Sequence, residues 1–432
     1  MLIILADDLG VEATAAYGEG MSPPPTPNID ALAASGVLFR NAWSNPICSP
    51  SRAVLLTGRY SFRNTVGTIL GGGNFGLPTS EVTIPEMLTL GGAGYNTACL
   101  GKWHLGDSSN GGPFAPNVAG FDHYAGSYSG MYIQSGVPWQ QAYFQWNKLV
   151  DGDLQRSTTY NTTVTVDDAL AWIASVADDG PWLSYVSFCA PHEPFHAPPA
   201  ALHGIDLPMA GPAADPRPYF EAMVQAMDTE IGRLIAGLGP ELENTIILFI
   251  GDNGTSQYVI EPPHEPTKAK GSPFEGGINV PIIVSGRVTQ SVAGSESAAL
   301  VGLVDVFATV AEIAGVNLET TLPGDYTLDS VSLVPYLLDP GLPSQRPWIF
   351  AETFLPNGTE PVVYDRAIRD GRYKLIRSLN VNGVREERLF DLKKDPYEQV
   401  NLLTKFVNPK PTWLKDVYWP LSDQMDALLA SQ

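Results

Sequence analysis

A chain of 432 residues, 44% hydrophobic and 16% charged with mean hydropathy near zero, has the size for a large core and two packed domains and the composition of an ordinary globular protein. Its formal charge of −21 and pI near 4.5 exclude nucleic acid or an anionic membrane surface as the main partner, because a polyanion would be repelled. Three scattered cysteines, Cys48, Cys99 and Cys189, with no CxxC between them, match neither a disulfide framework nor a zinc site. No stretch has the length of a membrane span. The sequence opens on MLIILADD without a preceding basic segment, so the cytoplasm is the default location, and the periplasm or exterior the alternative if a leader was removed.

In chain order, LIILADDLG reads as a fully buried strand whose carboxyl end delivers Asp7 and Asp8. TPNIDALAASG is a helix punctuated by Thr26 as cap, Pro27 in the first turn and Gly36 as stop. CSPSRAVLLTG is a second helix, with Pro50 and Ser51 in its first turn and Gly58 closing it. Cys48 therefore falls at or just before a helix N-terminus, where free N–H groups and the helix dipole favour an anion. Arg52, one turn on, adds a planar cationic fork suited to a tetrahedral oxyanion. A buried cysteine often only fills space, but this placement aims a reactive group at an anionic substrate.

YNTACLGKWHLG, PWLSYVSFCAPHEP and NTIILFIGDNG are further apolar strands ending in polar residues, and PYFEAMVQAMDTEIGRLIAGLG has helical spacing. Alternating strands and helices predict a largely parallel sheet layered by helices, with ligands off the carboxyl ends of its strands. Residues 107–160 are rich in Gly, Ser and aromatics (Tyr124, Tyr128, Tyr132, Trp139, Tyr143, Phe144, Trp146) and weakly periodic, which fits equally a long surface loop or a substrate-facing lid. Beyond VPYLLDPGLPSQRP the pattern changes to short strands and one final helix. That predicts a catalytic domain over 1–337 and a smaller α+β domain with an antiparallel sheet over 338–432.

Asp7–Asp8 and Asp252–Asn253 are oxygen-rich pairs at the ends of two predicted buried strands. Crowded carboxylates repel unless a cation joins them, and oxygen donors without His or Cys favour calcium or magnesium over zinc. Lys102 and His104 in GKWHLG, His192 in APHEP and Lys270 in KGSPFEGG bring cations and proton donors to the same sheet edge. Together they suit a reaction that moves negative charge onto a leaving oxygen while a tetrahedral anion is held.

The chain resembles the type I sulfatases of the alkaline phosphatase superfamily. The resemblance rests on ADDLG, CSPSRAVLLTGR, GKWHLG, APHEP, GDNG, KGSPFEGG and LFDLKKDPYEQVNLL, in the family's order across almost the whole chain. It implies an alkaline phosphatase-like α/β fold with a large mixed, mostly parallel sheet sandwiched by helices. It also implies that Cys48 is the precursor of a Cα-formylglycine, made by a separate formylglycine-generating enzyme. By the same resemblance Asp7, Asp8, Asp252, Asn253 and the residue at 48 ligate calcium, or magnesium in its place. The resemblance further implies that one hydroxyl of the formylglycine hydrate would attack sulfur and that collapse of the other would release inorganic sulfate. On the same pattern Arg52 would hold the diol and the carboxylates, and His104 would be base in the collapse. Lys102, His192 and Lys270 would bind sulfate, with His192 or Lys270 protonating the leaving oxygen.

Two stretches depart from the family pattern: VEATAAYGEG stands in place of a Gly/Asp-rich run, and a Pro/His insert interrupts GDNGTSQYVIEPPHEPTKAKG. The rival readings are a phosphonate or phosphate diester hydrolase on the same scaffold, whose relatives tend to place His where this chain has Asn253, and a catalytically silent binding protein. The expected substrate is a small aryl sulfate or a lightly sulfated sugar, since aromatic faces suit rings and the net charge disfavours polyanionic chains.

Overall fold

Runs of Ile, Leu, Val and Phe buried on both faces build the central layer of the protein. The computed structural model describes all residues except 71–74, 132–135, 406–410 and 432. Ten strands form one sheet: β1 (Leu2–Ala6), β2 (Gly36–Trp43), β3 (Asn96–Gly101), β4 (His123–Gly126), β5 (Trp146–Val150), β6 (Asp153–Ser157), β7 (Trp182–Ser187), β8 (Ile246–Gly251), β9 (Ile282–Gly286) and β10 (Ser295–Gly302). Their spatial order is β10-β2-β9-β8-β1-β7-β3-β4-β5-β6. β1 lies parallel between β7 and β8, so the carboxyl ends of these three strands open on one edge. β3 continues the parallel run on β7, whereas β9 and the β5–β6 hairpin run antiparallel to their neighbours, making the sheet mixed but mostly parallel at its centre.

Helices cover both faces, because each face of β1 is apolar: Ile3 and Leu5 join one hydrophobic cluster, Leu2 and Ile4 the other. The helix Arg217–Gly237 spends Phe220, Val224, Met227 and Ile231 on the second face. Among the described residues no helix is long and apolar enough to cross a membrane.

Four further strands, β11 (Ile349–Leu355), β12 (Val363–Arg369), β13 (Tyr373–Leu379) and β14 (Arg385–Asp391), make an antiparallel sheet in sequence order. The helix Thr412–Leu429 lays Leu414, Leu421, Met425 and Leu428 against it. Val54, Tyr60 and Phe62, from the segment following Cys48, share that cluster, and Trp43 and Ile278 of the large sheet's side pack with Ile376 and Phe390. The small sheet is thus packed directly under the helix that carries Cys48.

The aromatic-rich stretch is neither simply loop nor lid. It contributes β4, β5 and β6 to the edge of the large sheet, and Tyr124, Tyr143 and Trp146 are buried core residues, while Tyr128, Trp139 and Phe144 remain partly exposed. Its strands are four or five residues long and on the sheet's edge, too short to print a clear period in the sequence. Tyr132 lies outside the described residues.

Candidate active site

The strand ends are tied to one another before any side chain acts. Asp7 N–H donates to the Ala190 carbonyl at 3.1 Å and Asp252 N–H to the Ala6 carbonyl at 3.0 Å, which brings the tails of β1, β7 and β8 together. Asp8 N–H donates to Asp252 Oδ1 at 3.0 Å. Asp8 itself sits at φ +66°, the left-handed region that Asp tolerates better than most residues, and this turns its carboxylate back over the sheet edge.

Cys48 is the first residue of the helix Cys48–Thr57, with Ile47 extended before it and Gly58 at φ +66° closing it, as the punctuation predicts. Its thiol donates to Asp7 Oδ1 at 3.4 Å. Burial pushes the thiol pKa up to about 12 against the pull of Lys102 and Lys270, so an unmodified Cys48 is a neutral, unreactive group at neutral pH.

Arg52, fully buried, places Nε and Nη2 on Asp252 Oδ2 at 3.0 and 2.7 Å, and turns Nη1 to the Lys102 carbonyl at 3.2 Å and to Ser187 Oγ. Lys102 Nζ reaches Asp7 Oδ2 at 2.6 Å, and Lys270 Nζ reaches both oxygens of Asp8 at 2.6 and 2.7 Å. Three carboxylates therefore face three cations. Burial pushes Asp7 up, but Lys102, His192, Arg52 and Lys270 together outweigh it and hold the carboxyl well below its usual range. Asp252 goes the other way: burial, then the negative charge of Asp7, push its pKa to about 7.

Two histidines complete the edge. His192 Nδ1 lies 2.6 Å from the Glu193 carbonyl, which can only accept, so Nδ1 carries the proton and Nε2 faces Asp8 Oδ2 at 3.7 Å. The buried Tyr143 hydroxyl, 2.7 Å from both the Cys189 and His192 carbonyls, fixes this loop. His104, buried at φ +63°, is held by its N–H on the Tyr128 carbonyl and by Ser49 Oγ on its own carbonyl at 2.9 Å each. Burial and then Lys102 drive its pKa well below the ordinary value, leaving a neutral imidazole.

All the residues predicted from sequence converge, with a difference in grouping. One donor atom each of Asp7, Asp8, Cys48 and His192 lie within 4.8 Å of one another, a set able to hold a metal ion. Asp252 has both oxygens engaged by Asp8 N–H and Arg52. Asn253 donates Nδ2 to Asp8 Oδ1 at 2.7 Å, while its Oδ1 is buried without a hydrogen-bond partner. An orphaned carbonyl oxygen beside crowded carboxylates fits a hard cation, which would satisfy the one and relieve the others.

Sequence reasoning missed a buried ionic group below the site. Lys374 Nζ joins Glu275 Oε1 at 3.0 Å and Glu398 Oε1 at 2.8 Å, and Glu398 Oε2 accepts the Glu275 N–H at 2.6 Å. Glu275 belongs to KGSPFEGG and Glu398 to DPYEQ, so the C-terminal sheet anchors the segment that presents Lys270. Both motifs stood in the sequence, but their pairing across more than a hundred residues left no local signal.

Off the carboxyl edge of a mostly parallel sheet, a cysteine at a helix start is met by buried carboxylates and by cations, the arrangement that the resemblance to the alkaline phosphatase-like sulfatases implies. The Sulfatase family pattern matches residues 1–316. Human N-acetylgalactosamine-6-sulfatase is 33% identical over 78% of this chain, which spans 65% of that protein's length. Bovine arylsulfatase A is 29% identical over 96% of this chain and 86% of its own. The solved structure of Ps i-CgsB in complex with k-i-k-neocarrahexaose superposes with a TM-score of 0.80 at 25% identity, over 100% of this chain and 92% of that one. The chain belongs to the sulfatase family.

Proposed function

We propose that the protein hydrolyses small sulfate monoesters, aryl sulfates or lightly sulfated sugars, to alcohol and inorganic sulfate. Residue 48 acts in its formylglycine form, matured by a formylglycine-generating enzyme, and Asp7, Asp8, Asp252 and Asn253 hold a divalent cation, calcium or alternatively magnesium. The observation that carries this reading is the convergence of Cys48, three buried carboxylates and three cations, Arg52 and Lys102 buried and Lys270 partly exposed, at one sheet edge, with the orphaned Asn253 Oδ1 among them.

When bound, the cation draws charge from the sulfate oxygens, and the aldehyde hydrate supplies the attacking hydroxyl. The chain's own residues do the rest. Arg52 fixes Asp252 and so the geometry of the cluster. Lys102 and Lys270, whose charged forms are held up by Asp7 and Asp8 despite burial, balance the carboxylates, so an added divalent cation leaves the site net positive for a sulfate ester. His104, neutral, accepts a hydroxyl proton during release of sulfate. Lys270 Nζ, or His192 once it is protonated at Nε2 as well as Nδ1, passes a proton to the leaving oxygen. N-acetylgalactosamine-6-sulfatase and arylsulfatase A among the relatives support both the sugar and the aryl class.

The test is release of inorganic sulfate from 4-nitrophenyl sulfate and from monosulfated sugars, measured beside hydrolysis of a 4-nitrophenyl phosphodiester on the same preparation. Sulfate release dominating supports the reading. Faster phosphodiester turnover assigns the site to the diester rival, and turnover of neither by protein that mass spectrometry shows to carry formylglycine at position 48 assigns it to a binding protein.

A further inference from the structure

On the loop that carries His192 the surface opens into a cavity of about 270 Å³ whose lining includes none of the residues of the carboxylate and cation cluster. It is lined by Trp139, Gln140, Glu193, Phe195, Pro212 and Tyr258 among others. Glu193 directly follows His192, so the loop that carries His192 to Asp8 also lines the cavity. Tyr258 comes from the Pro/His insert, five residues after Asn253, and is 62% exposed; Trp139 comes from the aromatic-rich stretch and is half-exposed. Two segments with no part in holding the carboxylate cluster thus each place an aromatic ring on the same hollow.

We propose that this cavity is a subsite for an uncharged sugar ring attached to the sulfated one, which makes the preferred substrate an oligosaccharide sulfated at the ring in the active site and not at its neighbour. The inference rests on the sulfatase reading above and names the leaving-group side of the same site. The volume is at the small end of ligand pockets, enough for one ring and too little for a length of polymer. Flat aromatic faces with a wet rim suit the C–H face of a pyranose, and Gln140 and Glu193 offer donors and acceptors to its hydroxyls. Among the described lining residues there is no Lys or Arg, and Glu193 is the one carboxylate. A second sulfate here would meet negative charge with nothing to pair it, so the subsite selects against a sulfated neighbour.

The experiment compares kcat/KM for 4-nitrophenyl sulfate, a monosulfated galactoside, and galactose oligosaccharides carrying one sulfate or sulfate on adjacent rings. Wild-type enzyme should prefer the monosulfated oligosaccharide. Trp139→Ala and Tyr258→Ala should each lower the oligosaccharide-to-aryl ratio about three- to tenfold, through KM, the range set by loss of one aromatic contact. Glu193→Lys should shift preference toward oligosaccharides sulfated on adjacent rings. An unchanged ratio in both aromatic variants, or wild-type preference for sulfate on both rings, overturns the subsite. Titration of wild-type protein with unsulfated galactotetraose, followed through the indole N–H resonance of Trp139 as identified by its absence from the Trp139→Ala spectrum, reads the subsite without turnover. Perturbation of that resonance supports the subsite even where sulfate release fails, and an unmoved resonance at saturating sugar overturns it even where sulfate release succeeds.

Discussion

Replacing Lys374 with Met removes one charge and keeps a side chain of similar length. Lys374 is fully buried, 3.0 Å from Glu275 Oε1, 2.8 Å from Glu398 Oε1 and 4.8 Å from the centre of the Trp43 ring. Without it, two buried carboxylates face each other with Arg369, 3.7 Å from Glu275, as the remaining cation nearby. Burial already pushes Glu398 up despite Lys374, so the variant takes up a proton there in place of keeping both charges. Removing one partner of a buried ion pair costs about 3–5 kcal/mol, and Lys374→Met should lose that much in urea denaturation. The loss should extend to function, because the short helix Glu275–Ile278 follows directly on the loop presenting Lys270, and kcat should fall with Lys270 displaced from Asp8. The triple variant Glu275→Gln, Lys374→Met, Glu398→Gln should recover most of the stability, since a neutral buried group replaces an ionic one at little net cost. A loss below about 1 kcal/mol for Lys374→Met, the range of exposed pairs, would refute the idea that this group fastens the C-terminal sheet to the site.

Chelation should abolish sulfate release and calcium or magnesium should restore it, whereas recovery with zinc alone would contradict the oxygen-donor assignment. Asp252→Ala should lose both metal and rate, and Lys270→Ala should lose rate while metal analysis finds the ion retained. Away from the site, burial raises the pKa of Glu12 against the opposing pull of His264, and His264 is itself raised because Glu19, Glu12 and Glu275 outweigh burial. Both groups hold a proton more tightly when folded. The stability they contribute is therefore complete below their unfolded values, about 4.3 for Glu and 6.5 for His, and is lost as pH rises through the folded ones. Thermal melts at about pH 6 and about pH 8 should show a smaller drop for Glu12→Gln than for wild type, and an equal or larger drop would refute this coupling.

The candidate catalytic edge was legible because its residues sit where strands end. LIILADD and NTIILFIGDN are apolar runs broken abruptly by acids, and parallel strands buried on both faces leave that signature. Cys48 was legible because Pro50 and Gly58 fix the helix around it. Contacts between distant segments were not: Ser187 Oγ on Arg52 and the Tyr143 hydroxyl over the His192 loop depend on packing that no local pattern encodes. The aromatic stretch misled for a related reason. Tyr124 and Tyr143 look like a substrate surface in a Gly- and Ser-rich segment, yet they fill the core behind short edge strands, and Trp139 is the ring from that stretch that reaches the cavity on the loop that carries His192.

The claim on which the rest depends is that residue 48 works as an aldehyde and not as a thiol. Peptide mass spectrometry across residues 45–60, on enzyme whose sulfate release has just been measured, tests it directly. Formylglycine or its hydrate at position 48, in a fraction that rises in step with specific activity between preparations, is the result predicted. Fully active enzyme with an intact Cys48 thiol would contradict the account.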